Sequence, residues 1–182
     1  MYKKLLILDM DETLLHSATE YQLEGDYDFK MSLGDNTYFV RKRPHLDKFL
    51  DYAFENFKVA IWTAGGEEYA KKAISGCGIL SNALEFFWTR DKCTIKLDID
   101  FGNYYGLKKL SKVKKLGWKL DDVLIVDDVL QTASDNYGNL IQINPYFYGD
   151  DNELVKLIEY LKLIKNEPNY RRIDKRGWSS KV

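Results

Sequence analysis

Twice in this chain a short, unbroken apolar run ends on carboxylates: Leu5-Leu6-Ile7-Leu8 leads into Asp9 and Asp11, and Val123-Leu124-Ile125-Val126 leads into Asp127 and Asp128. Aliphatic runs without polar alternation are the pattern of strands covered on both faces, as in a parallel sheet flanked by helices. Open α/β sheets bind their ligands beyond the carboxyl ends of the strands, so both acidic clusters are expected at one edge of one sheet. The intervening sequence supports this. Pro44 suits the first turn of a helix carrying Leu46, Phe49, Leu50, Ala53 and Phe54 at helical spacing, and Val59 to Trp62 reads as another buried strand. Glu67 to Ser75 reads as a helix stopped by Gly76 and Gly78, and Leu107 to Leu116 as a basic helix stopped by Gly117. Leu140 to Ile143 is a further short strand and Asn152 to Ile164 an amphipathic helix. The alternation predicts an α/β fold with a doubly wound parallel sheet.

Two stretches depart from it. Tyr27, Phe29, Met31 and Leu33 alternate with polar residues, Gly34-Asp35-Asn36 supplies a turn, and Tyr38 and Val40 resume the alternation. This predicts a β-hairpin flap over about 18–41. Glu85 to Asp100 is aromatic and β-branched enough for small strands, giving a small insertion over about 78–104 and no large cap. With 182 residues and 45% hydrophobic content the chain can bury one sizeable core, so a single domain over 1–165 is expected. Residues 166–182 read as a basic C-terminal tail, with Arg171, Arg172, Lys175, Arg176 and Lys181 against Glu167 and Asp174. Such a tail is ordinarily a solvated end; its second reading is that, with Lys108, Lys109, Lys112, Lys114 and Lys115, it attracts a polyanionic substrate.

Asp9 and Asp11 are one residue apart, so on extended chain both side chains leave on the same face. Carboxylates this close call for a cation. Asp127 and Asp128 can complete an all-oxygen shell of the kind that suits Mg²⁺. The two histidines, His16 and His45, form no zinc-ligand pattern. Neither Cys77 nor Cys93 begins a Cys-x5-Arg phosphate loop, and no GxSxG or GxxxxGK[ST] stretch is present, which disfavours cysteine-based, serine-elbow and P-loop chemistry. The formal charge of -1 gives no global field towards nucleic acid or membrane, and no apolar run approaches the ~20 residues that span a bilayer. With no disulfide framework and no charged apolar leader, an intracellular, cytoplasmic location is expected.

The segment Leu8-Asp9-Met10-Asp11-Glu12-Thr13-Leu14 resembles the DxDxT signature of the haloacid dehalogenase superfamily, and more narrowly its FCP/SCP branch, the NLI-interacting-factor-like phosphatases. Val40-Arg41-Lys42-Arg43-Pro44-His45, Trp62-Thr63-Ala64-Gly65 and Leu124-Ile125-Val126-Asp127-Asp128 agree in order, so the likeness runs from Leu5 to about Ile143. The resemblance implies that Asp9 attacks phosphorus, Asp11 serves as acid and base, and Thr63 hydrogen-bonds the phosphoryl group. Lys108 matches the family's lysine, with Lys109 the adjacent alternative. Asp9 and Asp127 would bind Mg²⁺ by side chain and Asp11 by its backbone carbonyl; Asp128 stands where this branch often has Asn. Three residues are candidates for touching substrate. Arg90 resembles a family arginine, Trp88 belongs to an aromatic cluster with Phe86 and Phe87 whose first reading is core, and Thr13 reads first as a hydroxyl that steadies the acidic loop.

The expectation is therefore a Mg²⁺-dependent phosphomonoesterase working through an aspartyl-phosphate on a phosphorylated macromolecule, foremost phosphoserine or phosphothreonine in a protein. Insertions too small for a closing lid suit a large substrate, which itself helps to exclude water. A phosphatase for nucleic-acid ends or a small metabolite is the alternative within enzymes, and a non-catalytic phosphopeptide-binding module the alternative outside them.

Overall fold

The computed structural model describes residues 3–22, 25–99 and 102–182. In chain order its elements are β1 (Leu5–Leu8), β2 (Leu15–Thr19), β3 (Phe29–Leu33), β4 (Asn36–Lys42), α1 (Leu46–Asn56), β5 (Lys58–Trp62) and α2 (Glu67–Gly76). There follow β6 (Phe87–Trp88), β7 (Thr94–Asp98), β8 (Asn103–Leu107), the one-turn α3 (Ser111–Lys114), β9 (Val123–Asp127), β10 (Leu140–Gln142) and α4 (Glu153–Ile164).

Five strands form the central sheet in the order β10-β9-β1-β5-β6, every neighbouring pair parallel. The apolar runs sit at its middle, with every side chain of β1 fully buried. Alternate residues feed two cores. Leu6, Leu8, Ile61, Leu124 and Val126 meet the buried faces of α1, α2 and α4. Leu5, Ile7, Trp62, Val123 and Ile125 meet Leu110, Val113 and Trp118 on the other side. From β1 the chain winds outward through β5 to β6 and then returns to β9 on the opposite side of β1. The topological switch thus lies between β1 and β9, where α/β sheets open a crevice. Leu8 pairs with both Val126 and Ile61, which puts Asp9 and Asp127 at one level of the sheet.

The flap is a three-stranded antiparallel sheet, β2-β4-β3, in place of the expected hairpin. β3 and β4 join through Gly34-Asp35, where Gly34 adopts φ 57, a left-handed conformation that glycine takes without penalty. β7 and β8 make the small insertion. Residues 23 and 24 of the expected flap, and 100 and 101 of the expected insertion, lie outside the described residues. Among those described, no further cap covers the sheet edge.

Three expectations are corrected. Pro44 lies outside α1: it occupies a turn closed by the Leu46 N–H on the Arg43 carbonyl, 3.1 Å, where its fixed φ suits the first central position. The basic helix expected over Leu107 to Leu116 shrinks to α3, because Leu107 completes β8 and the Lys108 N–H donates to the Thr132 carbonyl at 2.7 Å. The segment read as a solvated basic tail is packed. Tyr170, Lys175 and Trp178 are buried, Trp178 lies 5.6 Å from Tyr160 of α4, and its indole N–H donates to the Gln142 carbonyl on β10 at 2.5 Å. Two large aromatic residues outweigh the basic composition there. Both cysteines are buried free thiols, and no helix is long and apolar enough to cross a membrane.

Candidate active site

Beyond β1 the chain is held tightly. The Asp9 N–H donates to the Val126 carbonyl at 2.9 Å, and the chain then folds back so that Leu14 N–H reaches the Met10 carbonyl at 2.8 Å. Glu12 takes φ 56 at this bend. Buried Arg43 fixes the loop from behind: its guanidinium donates to the Thr13 carbonyl at 3.1 Å, the Asn144 carbonyl at 2.8 Å and the Asp151 carboxylate at 2.8 and 3.1 Å. Burial pushes the Asp151 carboxyl up, but hydrogen bonds from Arg43 and the Glu153 N–H more than offset this and hold it below the usual range. Fully buried Thr13 donates to Asp128 at 3.1 Å, so its hydroxyl joins the two acidic loops.

Asp9, Asp127 and Asp128 each present a carboxylate oxygen within 4.8 Å of the others. Lys108, not Lys109, stands among them: its ammonium donates to Asp9 at 2.5 Å and to Asp127 at 2.7 Å, whereas Lys109 is half-buried and 4.0 Å from Asp135. Asp127 also accepts from the Thr132 hydroxyl at 2.7 Å and the Val129 N–H at 2.9 Å. Burial works against the Lys108 charge, but Asp127 and Asp9 prevail and hold it above the ordinary lysine range. Burial raises Asp9 well above the usual carboxylate range, with Lys108 pulling it down and Asp127 pushing it up. Burial and the Asp127 charge likewise raise Asp128. One ammonium leaves this cluster with excess negative charge. Three close oxygen donors with unrelieved repulsion fit a hard divalent cation such as Mg²⁺.

The Asp11 carboxylate stands outside this trio. It accepts from the Tyr69 hydroxyl on α2 and from the Thr63 hydroxyl at 3.4 Å, and Thr63 in turn accepts from the Gly65 N–H at 2.9 Å. Burial raises Asp11, while the Tyr69 hydrogen bond opposes the rise. Beside it a cavity of about 630 Å³ is lined by Asp11, Tyr69, Arg90 and, from the flap, Leu33 and Tyr38. The Arg90 guanidinium is anchored on the Ala64 carbonyl at 2.8 Å. Trp88 stacks on Phe86 at 4.2 Å and meets Trp62 edge-on at 4.8 Å, so it serves packing at the sheet edge. Tyr69 was not singled out from the sequence. Its partner Asp11 is 58 residues away, and an aromatic residue in a first helical turn carries no local sign of such a contact.

A sequence model of the NLI interacting factor-like phosphatases matches residues 4–171. A CTD phosphatase-like protein, 355R, of Invertebrate iridescent virus 3 is 29% identical over 90% of this chain and 97% of its own length. CTD small phosphatase-like protein 2 of Dictyostelium discoideum is 34% identical over 91% of this chain, which spans 28% of that protein. Among solved structures, the fission yeast RNA polymerase II CTD phosphatase Fcp1 bound to beryllium fluoride is similar in fold, with a TM-score of 0.60 and 19% identity over 92% of this chain and 53% of its own.

Proposed function

The chain belongs to the NLI interacting factor-like phosphatase family and is a phosphatase of the haloacid-dehalogenase type; from that premise we propose that it hydrolyses phosphoserine or phosphothreonine in protein segments through an aspartyl-phosphate on Asp9. The observation that carries this reading is the convergence of Asp9, Asp11, Thr63, Lys108 and Asp127 at the switch point of the sheet.

In the first half-reaction a carboxylate oxygen of Asp9 attacks phosphorus, and the bond from phosphorus to the seryl oxygen breaks. Asp11 donates its proton to that departing oxygen. The rise in its pKa by burial supports this role, since a general acid must hold its proton near working pH. In the second half Asp11, now a carboxylate, takes a proton from water as the water oxygen attacks phosphorus and releases the Asp9 carboxylate. Lys108 holds Asp9 in place and offsets charge on the transferred group, and the Thr63 hydroxyl, which donates to Asp11 at 3.4 Å, would turn to donate to a phosphoryl oxygen of the bound substrate. Asp9, Asp127 and Asp128, with the Asp11 carbonyl, would hold Mg²⁺. When bound, Mg²⁺ supplies positive charge to the phosphoryl oxygens. A phosphoprotein substrate suits a cavity covered only by the flap among the described residues, because binding energy from a long chain can be spent in the transition state.

The test is a panel of phosphopeptides, 3′- and 5′-phosphorylated oligonucleotides and sugar phosphates, assayed with Mg²⁺ and with excess chelator. The highest kcat/KM is expected on phosphoserine or phosphothreonine peptides, with activity lost in chelator and restored by Mg²⁺. Full activity of demonstrably metal-free protein, or a clear preference for oligonucleotides, would overturn the reading.

A further inference from the structure

Across β2 from the cavity beside Asp11 lies another, of about 460 Å³, walled by four aromatic rings: Tyr27 and Phe39 from the flap, Phe147 and Tyr148 from the loop after β10. Tyr27 meets Phe39 edge-on at 4.9 Å, and Phe147 meets the His16 ring edge-on at 5.5 Å. The register of β2 with β4 pairs His16 with Arg41 and Ala18 with Phe39, which puts these four side chains on one face of the flap sheet. The cavity belongs to the end of the central sheet that carries Asp9 and Asp127. Glu12, which lines it, follows Asp11 in the loop after β1, and the Tyr146 N–H donates to the Glu12 carbonyl at 2.8 Å, tying the loop after β10 to the acidic loop. Ser17 lines both this cavity and the one beside Asp11, and its hydroxyl lies 2.5 Å from that of Tyr69, which donates to Asp11. The polar side chains of the wall are already partnered. Glu12 pairs with His16 at 3.0 Å, the Gln22 side-chain carbonyl accepts from the Thr19 hydroxyl at 2.9 Å, and Arg41 donates to the carbonyls of Asp26 at 2.7 Å and Phe147 at 3.4 Å. What remains open is aromatic surface: Tyr27, Phe147 and Tyr148 are 44, 50 and 62% exposed.

We propose that this cavity is a specificity subsite for the substrate polypeptide, taking an apolar side chain, foremost an aromatic one, a few residues from the phosphoserine held at Asp9. The inference rests on the phosphoprotein reading above and deepens it by adding a sequence preference. Exposed rings grouped around one hollow gain by covering each other's faces and edges with an apolar guest, through both burial and ring-to-ring geometry. A charged guest fits less well. A cation would compete with His16 for Glu12, and an anion with the Asp26 and Phe147 carbonyls for Arg41, so each would break a contact that a neutral apolar group leaves alone. Continuity with the active site selects the substrate as occupant. The two cavities share Ser17 and are divided by β2, an edge strand of the flap sheet. One sheet layer is about 10 Å deep and extended chain advances about 3.3 Å per residue, so roughly three residues pass from one cavity to the other.

The experiment takes a glycine-rich phosphoserine peptide and replaces each position on either side of the phosphoserine in turn by phenylalanine, leucine, lysine or glutamate. Wild type, Tyr27→Ala and the double variant Phe147→Ala/Tyr148→Ala are each assayed, with a small aryl phosphate to report which of them are folded and active. At one offset phenylalanine and leucine are expected to raise kcat/KM about tenfold over glycine, with no gain from lysine or glutamate, as burial of part of an apolar side chain would give. The gain is taken as a ratio within each enzyme, so that any change in its general rate cancels, and it should be lost in both variants. Absence of an apolar gain at every offset, or a gain retained by a variant that hydrolyses the aryl phosphate, overturns the subsite while leaving the phosphatase reading intact. A larger gain from lysine or glutamate than from phenylalanine at the sensitive offset overturns the apolar assignment. Self-association of wild type in sedimentation that both variants abolish gives the face to a second copy of the chain and overturns the substrate as its occupant. Failure of wild type on every phosphopeptide, with the aryl phosphate still hydrolysed, overturns the phosphoprotein reading itself.

Discussion

Asp128 touches Thr13 and crowds Asp9 and Asp127, which makes its charge costly in the absence of a cation. Burial holds Asp9 and Asp128 above the ordinary carboxylate range in the folded chain, so the fold binds protons that the unfolded chain has already released. Stability of the metal-free protein therefore falls as pH rises through that window. Asp128→Asn should raise the metal-free melting temperature by about 2–4 °C at neutral pH, the shift that ~1 kcal/mol gives in a domain of this size. Mg²⁺ should stabilise wild type more near pH 7 than near pH 5 and stabilise the variant less; thermal melts at both pH values measure it, and a Mg²⁺ response indifferent to pH and to Asp128 would contradict it. Tyr69 supplies a second test. Its hydroxyl lowers the Asp11 pKa, so Tyr69→Phe should let Asp11 keep its proton to higher pH and move the alkaline limb of the kcat profile upward. An unchanged profile would make Tyr69 a packing residue only. Asp9, Asp11, Asp127 and Lys108 could be read as a group from the sequence because strand ends and motif order brought them out. Tyr69, Arg43 and the Thr13 contact to Asp128 could not, since each partner lies on a distant segment.

β1, β5 and β9 are written in the sequence as apolar runs because both their faces are covered, and the register of those three strands is what brings the acidic loops together. β2 was missed for the opposite reason. Only Leu15 and Ala18 of its five residues are buried, so its alternation is faint and its strand character comes from pairing with β4. α3 misled because a run of lysines with apolar residues at helical spacing reads as a helix face, whereas Lys108 is committed to the interior by two carboxylates. The flap meets the body of the molecule at Gly76, the last residue of α2. A Cβ there would come within 2.2–2.7 Å of the Phe29 ring on β3. Gly76→Ala should force that ring aside and destabilise the protein by about 1–3 kcal/mol, as overpacking does. Hydrogen exchange should localise the loss to residues 29–33 of β3. Unchanged protection of that strand would mean the flap does not depend on this contact.

The central sheet, the flap and the C-terminal segment form one continuous structure whose last buried anchor is Trp178, held between Tyr160 of α4 and the Gln142 carbonyl of β10. Trp178→Ala should cost about 3–5 kcal/mol by removal of a buried aromatic side chain. A urea midpoint equal to wild type would return the segment to the status of a loosely attached tail. Everything proposed for the molecule depends on Asp9 carrying the phosphoryl group between substrate and water. The most direct measurement is acid quenching of the enzyme during turnover of a ³²P-labelled phosphopeptide, with the label tested for hydroxylamine sensitivity and mapped to its residue. In Asp11→Asn both half-reactions should slow by about 10²–10⁴, while hydroxylamine-sensitive label should still form on Asp9. In Asp9→Asn both label and turnover should vanish. Hydroxylamine-sensitive label persisting in Asp9→Asn, or normal turnover by that variant, would contradict the assignment.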